Sequence, residues 1–381
     1  MKKICFVLIV LMMVLLCGCD NNSELSSPVN NSGQDLEPAV TGEHVDSTGE
    51  DDSAVYSVAE GYGRILRTYS PDGSNYIREE YDPDSTDDLG GIFWVNLYLN
   101  DETQPIKQVL IEDLNKYIDK PRVVWLDNDH VLLRGRYILN IKNTVIQKID
   151  FDKLGIYVYP AAEDYAAAPD EADAHDYGYG TLNYSVNKDG NKISYLFSDI
   201  KEENYYAYLY DMQKQTWEKI YSRPATFYDE EAAYYCIGWG NDNNLYFSDW
   251  ENVYKYDGQT VELFYAKDTT IFYMAVSPQG RYMVICNAGG KADQENFRKG
   301  QFSYIDLADG AVKFTFASLG NNAFSPQFTW SYDDKAFAYV DTDGVIKVLS
   351  LPDMKELLSQ KVENPKDIDM IDYWNGTFVY F

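Results

Sequence analysis

Histidine is scarce in this chain of 381 residues: there are three, His44, His130 and His175, far apart in sequence. Cysteine is nearly as rare, and three of the five lie within the first 19 residues, leaving Cys236 and Cys286 for the folded part. That excludes a Cys/His zinc framework, an H-E-x-x-H site and a disulfide-stapled scaffold. Two readings of the remaining pair stand, a single bridge or two thiols packed in strands. Positive charge is also short, with 32 Lys and Arg against 61 Asp and Glu and a net charge of −29. Sequence-independent binding of nucleic acid needs the opposite balance, so nucleic acid is not an expected partner. Phosphate-cradling glycine loops, EF-hand loops and G-x-S-x-G are missing too. What the chain has in quantity is aromatic side chains, 34 Tyr and 17 Phe against 8 Met, a composition suited to strands. The expected class is all-β.

The N-terminal apolar run, residues 4–16, follows Lys2 and Lys3 and is too short for a membrane span of about 20 residues, but suits a signal-peptide core. It ends in Leu16-Cys17-Gly18-Cys19. These four residues resemble the lipobox of bacterial lipoproteins, with Gly18 fitting the position before cleavage and Cys17 departing from the usual small or β-branched residue. The resemblance implies a signal peptide over 1–18 and a diacylglyceryl (palmitate-type) modification on Cys19. Paired acyl chains, at about 0.8 kcal/mol per buried CH₂, would hold the chain on the outer side of a bacterial cell membrane. Residues 20–54 carry nine Asp or Glu, no Lys or Arg and no aromatic residue. Such a segment cannot bury enough apolar surface to fold, so 19–54 reads as a lipidated, acidic tether and 55–381 as the folded domain.

Beyond residue 54 a unit repeats: an apolar strand, a tight polar turn, then a second strand with alternating pattern. The turns are Ser70-Pro71-Asp72-Gly73, Asp127-Asn128-Asp129, Asn187-Lys188-Asp189-Gly190, Asn241-Asp242-Asn243, Ser277-Pro278-Gln279-Gly280, Tyr332-Asp333-Asp334 and Asn375-Gly376. Each offers residues that tolerate positive φ. The seven markers Gly73, Asp129, Gly190, Asn243, Gly280, Asp334 and Gly376 recur about every 50 residues, the period of propeller blades, and two further strands usually follow each hairpin. The expectation is one β-propeller of seven four-stranded blades, six being the alternative, with the last blade completed by an N-terminal strand near residues 54–58.

The unit SPQGRYMVICNA…FSYIDLADG at 277–310, echoed by NKDGNKISYLFSD…YAYLYDM and SYDDKAFAYVD…IKVLSLPD, resembles the repeat of TolB-like and WD-like β-propellers. The motif specifies a hairpin rather than chemistry, so the resemblance implies a fold and leaves function open.

Strand parity assigns the connections to two faces. The first-to-second and third-to-fourth connections of each blade are short. The long ones, at 82–91, 151–180, 223–232 and 289–300, all fall on the other face, which is the expected binding face for a protein, peptide or glycan. On it, Asp82, Asp84, Asp87 and Asp88 either surround a Ca²⁺ ion or form a solvated acidic loop. Tyr165, His175, Tyr177 and Tyr179 set aromatic rings among acids, fitting a sugar or peptide, or else pack down within an insertion. Lys291, Arg298 and Lys299 make a local positive cluster for an acidic partner or for neighbouring carboxylates. A non-catalytic binding module is the primary reading. A glycosidase or polysaccharide lyase working through channel carboxylates such as Asp369 and Asp372 is the alternative.

Overall fold

The computed structural model describes residues 56–60, 66–81, 92–112, 123–133, 135–154, 183–199, 204–224, 237–249, 251–267, 269–288, 300–317, 327–363, 368, 371–374 and 376–380. Within them the chain is all-β, with a single 3₁₀ turn at Asp152–Leu154. Six antiparallel four-stranded sheets follow one another along the sequence, at residues 66–112, 123–148, 183–224, 237–266, 271–316 and 328–361. These are blades 1 to 6 of a β-propeller. A further sheet of three strands combines the hairpin Ile371–Trp374 and Thr377–Tyr380 with the N-terminal strand Ser57–Glu60. Closure by both ends of the domain is therefore as expected, in a sheet one strand short of a full blade.

The closing strand runs parallel to its neighbour, with Ser57 opposite Thr377 and Glu60 opposite Tyr380. Every other pairing is antiparallel among the described strands. Direction explains the exception. The strand Leu66–Tyr69 that follows must start on the long-connection face, so Ser57–Glu60 has to end there, as Thr377–Tyr380 does. A hydroxyl pair, Ser57 Oγ to Thr377 Oγ1 at 2.9 Å, and Ser57 N donating to Gly376 O at 3.1 Å fix this register.

Each of six apolar clusters spans two successive sheets, for example Ile77 and Leu97 of blade 1 with Val123, Val131 and Leu139 of blade 2, or Val348 and Ala338 of blade 6 with Ile371 and Phe378 of the closing sheet. A strand sandwiched between two neighbours is buried on both faces. The second strands Leu245–Ser248, Tyr282–Asn287 and Ala336–Val340 are accordingly buried at every residue, largely apolar on both faces where sequence reading expected alternation. Outer strands such as Glu356–Lys361 and Ala311–Phe316 are largely exposed and carry charged residues that discourage edge pairing. Blades 3 to 6 each have a bulge between third and fourth strands, at Ala207/Tyr208, Val253/Tyr254, Tyr304/Ile305 and Val348/Leu349, which adds twist where the blade flares outward.

Tryptophan pins blade to blade. Trp125 Nε1 donates to Thr68 O of the preceding blade at 2.7 Å, and Trp239 Nε1 donates to Ser194 Oγ at 3.1 Å. At the closure, Tyr332 of blade 6 packs edge-on against both Tyr69 of blade 1 (5.8 Å between centroids) and Tyr373 of the closing sheet (5.4 Å).

Candidate functional site

The two faces differ in construction. On the short-turn face six of the seven markers, Gly73, Gly190, Asn243, Gly280, Asp334 and Gly376, have the positive φ that the hairpins demand. Asp129 does not. There the Asp127 carboxylate accepts from the Asp129 and His130 amides at 2.7 and 2.8 Å and meets His130 Nδ1 at 3.0 Å. Burial raises the Asp127 pKa, but these bonds outweigh it and hold the group below the ordinary carboxylate value. His130 is thus part of a hairpin lock.

The same turns touch across blades. Asp72 N donates to Asn128 Oδ1 at 3.3 Å, and Asn241 N donates to Gly280 O at 2.8 Å. Asp334, buried in blade 6, accepts from Ser277 Oγ and from the Gln279 amide (3.1 Å) of blade 5. Burial raises the Asp334 pKa, and the hydrogen bonds only partly offset that. Among the described residues, these cross-blade contacts commit several of the turns' polar groups to the ring itself.

The long-connection face is where strand ends release the segments 82–91, 113–122, 155–182, 225–236, 289–299 and 318–326, which lie outside the described residues. So do Asp82, Asp84, Asp87 and Asp88, the aromatic set Tyr165, His175, Tyr177 and Tyr179, the cations Lys291, Arg298 and Lys299, and also Cys19, Cys236 and Asp369. Asp372 stands in the inner strand Ile371–Trp374. Cys286 is buried within the strand Tyr282–Asn287. Among the described residues no three His, Cys, Asp or Glu side chains are grouped to hold a metal ion.

What the structure does place at this face is a charged anchor between blades 3 and 4. Asp249, at the end of the strand Leu245–Ser248, has its side chain 4% exposed and faces Arg223 at the end of Thr216–Pro224, Nε to Oδ2 3.4 Å. Oδ2 also accepts from the hydroxyls of Tyr221 (2.9 Å) and Tyr254 (3.1 Å), and Oδ1 from the Asn252 amide (3.0 Å). The guanidinium donates to Asp249 O at 2.6 Å and lies over the Tyr205 ring at 4.9 Å, while the Tyr205 hydroxyl donates to Ser248 O. Burial, joined by the neighbouring hydroxyl and the carboxylate, pushes the Tyr221 pKa up, and burial does the same for Tyr254.

With both oxygens of Asp249 engaged by donors, the cluster is built to hold position rather than to transfer a proton. It fixes the strand ends from which 225–236 departs. Sequence reading missed it because Arg223 and Asp249 are 26 residues apart and meet only when two blades pack. Tyr254→Phe should lower unfolding free energy by about 1.5–3 kcal/mol, the scale of a bond to a charged acceptor. A urea midpoint unchanged by that substitution would show the hydroxyl to be dispensable.

No family model and no curated protein sequence matches the chain. Among solved structures the chain is similar to the crystal structure of Kluyvelomyces marxianus Hsv2, at 12% identity, covering 82% of this chain and 86% of that one with a TM-score of 0.44. That likeness carries no weight for what this chain binds.

Proposed function

We propose that the ring is an extracytoplasmic protein-interaction module, tethered to a bacterial membrane through lipid on Cys19, that engages its partner with the face bearing the long connections. The observation that carries this reading is the contrast between faces. One face is closed by hydrogen-bonded turns that use their polar groups on each other. On the other, rigid strand ends present the longer segments, the usual place for variable contacts on a fixed scaffold. The aromatic and acidic residues of 165–179, and the cations Lys291, Arg298 and Lys299, are the groups we assign to that contact. A peptide or glycan determinant on the partner fits the first set, and an acidic one fits the second.

Two measurements test the reading separately. Cys19→Ala should move the chain from the membrane fraction to the soluble extracytoplasmic fraction, and a variant that still sediments with membranes overturns the anchoring. Deleting 161–179 should leave the urea midpoint within experimental error while abolishing saturable binding to a captured partner. Binding of undiminished affinity would remove that segment from the site. Turnover of a glycan, lost when one carboxylate becomes an amide, would replace the module with an enzyme.

A further inference from the structure

Between blades 5 and 6 lies a small polar site with no role in the contacts described so far. Tyr304 and Tyr282 are almost wholly buried, at 0% and 1% exposure, and Trp330 is 7% exposed. Their polar atoms, two hydroxyls and the indole Nε1, have no hydrogen-bond partner. All three residues belong to one cluster: the Tyr282 and Tyr304 rings are 5.3 Å apart, and Phe337 packs against both Tyr304 (5.1 Å) and Trp330 (5.5 Å). The Trp330 indole acts on the Tyr304 hydroxyl from close by, yet a bond of proper geometry is not formed.

Buried donors without an acceptor are rare in native proteins because desolvation is uncompensated. Three at one interface call for a common explanation. Relaxing Trp330 onto the Tyr304 oxygen would still leave two hydroxyl protons unplaced. Neither hydroxyl bonds to Asp334, whose carboxylate accepts from Ser277 and from the Gln279 and Arg281 amides.

An acceptor from outside the chain would meet these donors, and the surroundings indicate its chemistry. Charges of both signs surround the site, with Arg281 over the Tyr282 ring at 5.0 Å and Asp306 and Asp334 acting on both hydroxyls, so a neutral acceptor suits it best. An apolar body would leave the donors unmet. Phe302, Phe328 and Phe337 belong to the same cluster, and in such close-packed surroundings the smallest acceptor, one water molecule, fits best.

We propose that a single water molecule is a fixed component of the interface between blades 5 and 6, accepting from two of Tyr282 Oη, Tyr304 Oη and Trp330 Nε1 and donating to the oxygen of a tyrosine. Such a molecule makes the three bonds usual for buried water. The interface then combines direct hydrogen bonds, such as those from Ser277 and Gln279 to Asp334, with one contact through solvent.

A crystal structure of the whole domain at better than about 2 Å decides the matter. A solvent peak within about 3.3 Å of at least two of the three atoms supports the proposal. A site with no such peak, or hydroxyls turned onto protein acceptors, overturns it. If crystals fall short of that resolution, a thermal cycle of Tyr282→Phe, Tyr304→Phe and the double variant takes over. These substitutions keep the rings and so the packing. A shared water predicts that the double variant shifts Tm by clearly less than the sum of the single shifts, and strictly additive shifts overturn it.

Discussion

Removal of residues 369–381 should abolish the single cooperative unfolding transition of the domain. The deletion takes away both strands of the terminal hairpin, and with them Ile371 and the fully buried Phe378. It strips the partner from Ser57–Glu60 and bares the face of blade 6 formed by Ala336, Ala338, Val340, Ile346 and Val348. Truncating one buried Phe costs about 3–5 kcal/mol. Losing the whole cluster reaches the 5–15 kcal/mol that typically separates folded from unfolded domains. The point substitution Phe378→Ala should show the graded version, a loss of about 3–5 kcal/mol with the transition still cooperative. The check is urea unfolding followed by near-UV dichroism. A truncated chain with a sharp transition at the parent midpoint would mean that the ring does not depend on closure by its ends.

The second large effect separates two glycines that look alike in sequence. Gly73 and Gly190 each end a turn of the same kind, at φ of +71° and +66°. A methyl group at Gly73 would meet nothing within 4 Å, so Gly73→Ala should cost only the left-handed penalty of about 1–2 kcal/mol. At Gly190 a Cβ would stand 1.6 Å from the carbonyl oxygen of Leu126 in the preceding blade, which is backbone and cannot swing aside. Gly190→Ala therefore adds overpacking to the conformational cost, for a total of about 2–5 kcal/mol. Equal midpoints for the two variants would show that blades 2 and 3 do not approach as closely as their turns indicate.

That pair also marks the boundary of what sequence could supply. The turn residues were legible because positive φ is a local demand, met by Gly, Asn or Asp at a regular interval. Asp129 misled for the same local reason: it has the right residue type, but Asp127 and His130 complete the hairpin without a left-handed residue. Blade closure was legible from period, since an N-terminal strand and a C-terminal hairpin each lacked neighbours. Its parallel direction was not, because it follows from the path of the chain into blade 1 rather than from any side chain.

The alternation expected of second strands failed where burial on both faces overrode it, as at Tyr282–Asn287. The Arg223–Asp249 anchor and the clasp of Ser277 on Asp334 join residues from adjacent blades, and nothing in a single strand announces such a partner. Loop residues singled out for binding were chosen by length and chemistry alone, and they lie outside the described residues.

The parallel entry of Ser57–Glu60 has a mechanical side. Ser57 sits beside Gly376, at the short-turn end of the closing sheet, so the described chain enters the ring at the face that is closed by turns. Under the anchoring proposed above, the chain enters at the face opposite the one proposed for binding. A pull on the tether would act along Ser57–Glu60 and load its short ladder against Thr377–Tyr380, making the closing sheet the first part of the ring to feel tension from the membrane.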